Sequence, residues 1–370
     1  MIVSSDRRKA VWSMTLLYGA VHLLVDAASV TFYFALLHKY TSESPWDIFA
    51  LYVIFAFAMQ VPFGLLADRI NRPIFVAILG CLLVAVGPFF VAFPFVSLFV
   101  LCFGNALFHV GGGVIALTLS RGRAAIPGMF VAPGVFGVAI GVTLGGFRIF
   151  PHIVFCIIFA LAVILLYLSR HLLQNDENQT NESVDMMRTK PVAPLDYTNI
   201  AVILFFVVIV SRAIVADFVS DIARANISWS YALPIAVFLG KFFGGFLADR
   251  FGWQQTVLTA IVCSVPLIAI GEYFSFLLLP GAFLFTMSMP ITLTALGNLL
   301  PRQPGFAFGL TALAIAVGAL STRIVHLQGS FVFFMIFLTA SLFYCAVRLY
   351  NQSIPRNDLF TENNLTENIP

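Results

Sequence analysis

The segments QVPFGLLADRINR (60–72) and KFFGGFLADRFGW (241–253) align without a gap at an offset of 181 residues. Each runs apolar and then breaks into an acid–base pair, Asp68-Arg69 in the first copy and Asp249-Arg250 in the second. A weaker match joins PGMFVAPGVFGVAIG (127–141) to PGFAFGLTALAIAVG (304–318). A chain that repeats itself at half its length is built of two similar units. The apolar runs around the repeats say what those units are.

Twelve such runs follow one another: 11–37, 46–67, 73–92, 95–119, 125–148, 151–172, 197–219, 229–249, 254–274, 277–299, 304–325 and 329–349. A helix needs about 20 apolar residues to cross the hydrocarbon of a bilayer, whereas barrel strands alternate over roughly 10. The expected fold is therefore an all-α membrane protein of twelve transmembrane helices in two pseudo-symmetric six-helix bundles. The expected organisation is a first bundle over 1–172, a polar linker over 173–196, a second bundle over 197–350 and a polar tail over 351–370. The linker holds QNDENQTNES and too little apolar side chain to pack.

Composition agrees. Of 370 residues 60% are hydrophobic, 40 are Phe and only 10% are charged. A soluble domain carries roughly 25% charged residues. A soluble enzyme, a nucleic-acid binder and a disordered chain are excluded on that ground, and the net charge of +3 offers no basic patch. Cys81, Cys102, Cys156, Cys263 and Cys345 all fall in apolar runs and form no CxxC pair. The basic start (Arg7, Arg8, Lys9) leads into the first run with no small-residue cleavage site, so that run reads as a retained span.

Lys and Arg favour the cytoplasmic side of membrane proteins. With the N-terminus inside, 14 of the 20 fall on that side, 4 on the other, and Arg212 and Lys241 within spans. The chain is expected in an inner or plasma membrane with both termini cytoplasmic.

The Gly-x-Leu-Ala-Asp-Arg pattern closing the second span and again the eighth resembles the signature loop of the major facilitator superfamily. The resemblance covers essentially the whole chain and implies the facilitator fold. It assigns a gating motif to Gly64, Asp68, Arg69 and Arg72, and to Gly245, Asp249 and Arg250. A glycine lets two helices approach, and the Asp can pair with an Arg or sit at a neighbouring helix's N-terminus. Asn71 departs from the family's usual glycine, and Trp253 and Gln254 stand where basic residues are usual, which implies a weaker charge network in the second loop. VHLLVDAASV (21–30), GNALFHVGGG (104–113) and LPRQPGFAFGL (300–310) are similar to the fosmidomycin-resistance-like branch, which implies proton-driven efflux of small compounds.

Ionisable residues inside a membrane are costly and usually face a cavity where they work. His22 and Asp26 lie one helical turn apart on one face, and Asn105 and His109 repeat that spacing. In the superfamily's fold the first and fourth spans both line the cavity, which implies that the four converge. Asp26 with His22 is the expected proton-coupling site. Gln60, Asn105, His109, Arg212 and Lys241 are the expected substrate-binding residues. The cations are also able to pair with Asp26 or Asp217. Pro62, Pro133, Pro234, Pro266 and Pro290 fall within spans, where some should kink them.

The function expected is secondary active transport of a small anionic or amphipathic solute, proton-coupled, by alternating access. The expected partners are protons, a small-molecule substrate and the bilayer; nucleic acid is not among them, and the chain is expected to act as a monomer. The alternative is a divalent-metal transporter, with His22, Asp26, Asn105 and His109 as nitrogen and oxygen ligands. No cofactor is expected, since no nucleotide-binding motif is present. Nor is an enzyme, since no Ser-His, HExxH or paired-Asp pattern stands out.

Overall fold

The computed structural model describes residues 5–39, 45–90, 92–174, 195–224, 227–271, 273–324 and 329–353. Twelve helical spans cross it: α1 Arg8–His38, α2 Ile48–Ile70, α3 Pro73–Phe90, α4 Pro94–Ser120, α5 Ala125–Gly146, α6 His152–Leu172, α7 Tyr197–Ala223, α8 Tyr231–Phe251, α9 Trp253–Gly271, α10 Ser275–Leu299, α11 Pro304–Thr322 and α12 Val332–Ser353. No strand occurs among the described residues. The helix of α6 runs on to Gln174 and that of α7 begins at Leu195. The remainder of the expected linker, 175–194, and the tail beyond Ser353 lie outside the described residues.

Burial alternates with the helical period, so an outer helix turns one side to the core and one side outward. Along α6, Ile153, Ile157, Leu161, Ile164 and Leu168 are exposed, while Phe155, Phe159, Ala162 and Leu166 are buried on the opposite face. This is a one-sided stripe at helical spacing. By contrast α4 is buried nearly throughout. Each bundle has its own core. Tyr18, Phe108, Phe130 and Phe159 fill the first, and Phe205, Phe285 and Phe343 the second. The cores interlock, because Leu293 and Phe308 reach into the first and Ala124 into the second.

Several spans are broken, and each break is local in cause. Near its middle α2 passes through a π-helical turn, Ile54–Ala58. Gln60 donates its amide to the carbonyl of Ala56 in that turn at 2.8 Å. α5 is interrupted between Val131 and Gly134, at Pro133. A proline ring crowds the preceding turn and offers no N–H to it. α10 breaks at Met287, and Pro290 falls in the first turn of the resumed segment, Ser288–Leu299, where its missing donor costs little. Pro234 and Pro266 sit inside continuous helices.

Packing between the bundles is concentrated toward the face that carries both termini. The Gln60–Ile70 part of α2 lies along α11, and the Ala125–Val131 part of α5 lies on α8 and on Ser288–Leu299 of α10. The α2–α11 contact is backbone to backbone. A Cβ at Gly64 would collide with the carbonyl of Gly305, and one at Gly305 with the carbonyl of Gly64. Gly64→Leu should therefore pry these helices apart, an overpacking that costs about 1–3 kcal/mol. The expected result is a lower melting temperature of the purified protein in detergent. Leu66→Ala, at an exposed apolar position of the same helix, should leave it unchanged; equal melting of both variants would argue against the close approach.

Candidate functional site

Asp26 stands in α1 with His22 one turn before it. The Nε2 of His22 lies 3.2 Å from Asp26 Oδ2. From α4, His109 Nε2 lies 3.4 Å from Asp26 Oδ1. Asn105 donates its amide to the same Oδ1 at 3.3 Å and to Ser29 Oγ at 3.2 Å. The two imidazoles meet edge to face, with ring centroids 4.4 Å apart. α5 covers the group with a glycine: a Cβ at Gly134 would come 2.5 Å from His22 Nε2 and 2.7 Å from Asp26 Oδ2. The Asp26 side chain nevertheless keeps 14% of its surface exposed.

The tautomers follow from the other ring nitrogens. His22 Nδ1 lies 2.8 Å from the carbonyl of Phe130, and His109 Nδ1 lies 2.8 Å from the carbonyl of Asn105. A carbonyl oxygen only accepts, so both Nδ1 atoms carry hydrogen. In the neutral rings each Nε2 is then a lone pair, and both lone pairs face one carboxyl group. Three acceptors at such distances need a positive centre among them. A shared proton supplies one, and so does a metal ion, since His22, Asp26 and His109 offer ligand atoms within 4.8 Å of one another. Anchoring Nδ1–H on a backbone carbonyl is also how ligating histidines are oriented. Asn105 presents its amide nitrogen, a donor, to this centre.

The second bundle supplies cations. Arg212 in α7 is buried, and its Nη1 donates to Thr292 Oγ1 at 3.2 Å, with Ser288 Oγ at 3.5 Å. Lys241 in α8 is half-buried and within electrostatic range of both Arg212 and Asp26. Among the described residues neither cation forms an ion pair. Gln60, the repeat mate of Lys241, is spent on the π-turn, and its Oε1 is buried without a partner. No hydrogen bond joins Gln60 to the acid group.

Both signature loops close on a helix N-terminus in the other bundle. Asp68 accepts the backbone N–H groups of Gly305 and Phe306 at 2.8 and 2.9 Å. Asp249 accepts those of Ala124 and Ala125 at 2.8 and 2.9 Å. The first turn of a helix has free N–H groups and a positive dipole end, so a carboxylate there is doubly favoured. Asn71 has φ of 53°, left-handed, and its repeat mate Gly252 has φ of 92°. Asparagine tolerates that region better than most residues, which explains how it replaces glycine. Trp253, in place of a base, donates its indole N–H to Asp249 at 3.2 Å. Arg69, Arg72 and Arg250 are exposed on this face, Arg250 against the Phe251 ring.

Most of the residues singled out in the sequence thus fall into three groups: the acid centre, the cation pair and the two clasps. Ser29, Ser288 and Thr292 join them without having been singled out, and Trp253, read as a departure, joins the second clasp. A signal for two existed, since Ser288 and Thr292 repeat the four-residue spacing of Asn105 and His109. Arg148 lies beyond the end of α5, exposed and with a left-handed φ of 56°.

Two bundles clasped at one face around buried charges of opposite sign, within twelve apolar spans, define a membrane transporter and not an enzyme. The sequence profile of the Major Facilitator Superfamily matches residues 12–322, and the chain belongs to that family. Its fold is similar to that of the fucose:proton symporter FucP of E. coli, with a TM-score of 0.64 at 14% identity over 94% of this chain and 99% of that one. A FucP structure in the outward conformation gives 0.62 at 12% identity over 91% of this chain and 98% of that one. The human organic anion transporter MFSD10 (TETRAN) gives 0.68 at 14% identity over 94% of this chain and 100% of that one. A comparison with curated protein sequences finds no match.

Beside Asp68 lies a cavity of about 150 Å³ lined in part by Thr118, Asn298 and Arg302. Asp68→Asn leaves an amide donor against backbone donors, a loss of about 1–3 kcal/mol. A cysteine placed at Thr118 should then react with maleimide several-fold faster than with Asp68 intact. Unchanged labelling would mean that the clasp does not hold this face shut.

Proposed function

We propose that this transporter moves a small organic anion with a proton by alternating access, as a single chain carrying both bundles. The observation that carries the reading is the convergence of two imidazole lone pairs on the Asp26 carboxyl group, which calls for a proton at that point. The 14% of the Asp26 side chain left exposed is where the proton would enter, and Lys241 and Arg212, which form no ion pair among the described residues, are the seat of the anion, Lys241 within electrostatic range of Asp26. With Asp26 ionised, its attraction to Lys241 draws the bundles together. A proton on the acid and an anion on the cations release that attraction from both sides at once. Asp68 and Asp249 then act as the gate on the termini face, which the Lys and Arg bias assigns to the cytoplasm of an inner or plasma membrane. Gln60 flanks the path on α2 and caps the turn on which that helix would bend.

Proteoliposomes with and without an imposed pH gradient test the coupling. For a solute that the wild type accumulates against its gradient, Asp26→Asn should abolish accumulation while permitting downhill exchange. Accumulation that survives the substitution removes Asp26 from the coupling.

A second reading is favoured by the same geometry: a divalent transition-metal ion as cargo, held by His22, Asp26 and His109. Lys241 opposes it, because it places a positive charge within electrostatic range of Asp26, with Arg212 in turn within range of Lys241. Isothermal titration of the purified protein with Zn²⁺ and Mn²⁺ decides. The proton reading expects no saturable heat that Asp26→Asn removes; such a heat would favour the metal.

A further inference from the structure

The acid centre of the first bundle has a counterpart of opposite sign in the second. Asp26 on α1 is met by Asn105 and His109, four residues apart on α4. Arg212 on α7 is met by Ser288 and Thr292, four residues apart on α10. α7 and α10 are the first and fourth spans of their bundle, as α1 and α4 are of theirs. In both bundles, then, the first span carries a charged side chain met by two polar side chains of the fourth, and the sign differs between the halves.

The hydroxyls around Arg212 are already committed. Ser288 Oγ donates to the Phe285 carbonyl and Thr292 Oγ1 to the Met289 carbonyl, both at 3.0 Å. They can therefore only accept from the guanidinium, which fixes its orientation and leaves most of its five N–H donors unspent. Among the described residues the three ammonium donors of Lys241 are unspent as well. An excess of donors with positive charge, in a buried setting, is the complement of a carboxylate, which a guanidinium binds through two parallel bonds. Next to Lys241 the wall is aromatic. Phe238, three residues before it on α8, packs its ring 4.7 Å from Phe136 of α5, and Phe242 stacks on Phe238 at 5.8 Å and 20°. All three rings are half-buried. Such faces favour offset stacking with another ring.

Resting on the anion reading of Lys241 and Arg212 given above, we infer that the transported anion is an aromatic carboxylate. Its carboxylate lies on Arg212 and Lys241, with Ser288 and Thr292 as positioning residues, and its ring lies against Phe136, Phe238 and Phe242.

Benzoate and 2-naphthoate serve as probes, with cyclohexanecarboxylate, whose ring is saturated, and benzylamine, whose charge is inverted, as comparators. The readout is the melting temperature of the purified full-length protein against probe concentration, since a ligand of the native state stabilises it. The aryl carboxylates should give a saturating rise, cyclohexanecarboxylate a rise requiring several-fold more ligand, and benzylamine none. Lys241→Met should raise the half-saturating concentration of 2-naphthoate at least tenfold. Arg212→Lys, which keeps the charge but loses the fork, should do the same if it folds. Ser288→Ala with Thr292→Val tests the positioning without altering charge and should raise the value several-fold. The inference is overturned if neither aryl carboxylate stabilises the protein, if benzylamine stabilises it equally, or if Lys241→Met leaves half-saturation unchanged. The Asp26→Asn transport assay reads the other bundle, so the proton site and the anion class fail separately.

Discussion

Two imidazole lone pairs and a carboxyl group share a point inside a membrane, and little else about the centre of this protein is free once that is granted. Hydrocarbon offers no water to solvate stray charge, so each acceptor must find something positive nearby. The backbone carbonyls of Phe130 and Asn105 fix the rings with their lone pairs inward. Gly134 lets α5 close over them without displacing either. Lys241, across the seam, balances the charge at longer range. Remove the acid and the histidines lose the reason for their orientation.

The duplication is used in two ways. At the termini face the copies act alike: each acid reaches into the opposite bundle and seats on a helix start, so the two clasps are related by the pseudo-symmetry of the fold. At the centre the copies act as opposites, Asp26 in one half and Arg212 in the other. Corresponding spans thus carry matched fasteners at one depth and charges of opposite sign at another.

Much of this was legible beforehand, for identifiable reasons. Span limits follow from apolar run length, and the expected 151–172 and the observed His152–Leu172 differ by one residue. The His22–Asp26 spacing is local and survives folding unchanged. Less legible was anything that depends on register between helices. A neighbouring helix start was one of the two seats open to Asp68, but that it would be the one at Gly305 has no signature in composition, because every residue except proline carries a backbone N–H. Trp253 read as a weakening of its loop, yet its indole donor does part of what a base would do. Asn71 read as a departure, yet its left-handed backbone is the same as that of Gly252.

The clasps have an evolutionary consequence. Each acid recognises main chain, so the residues it grips are interchangeable as far as the bond is concerned. Ala124 and Ala125 could drift to other small side chains, and Phe306 to other apolar ones, with the fastening intact, provided none is proline. The burden of inheritance falls on one partner only. Lineages descended from this chain should keep Asp68 and Asp249 long after the helix starts opposite them have become unrecognisable.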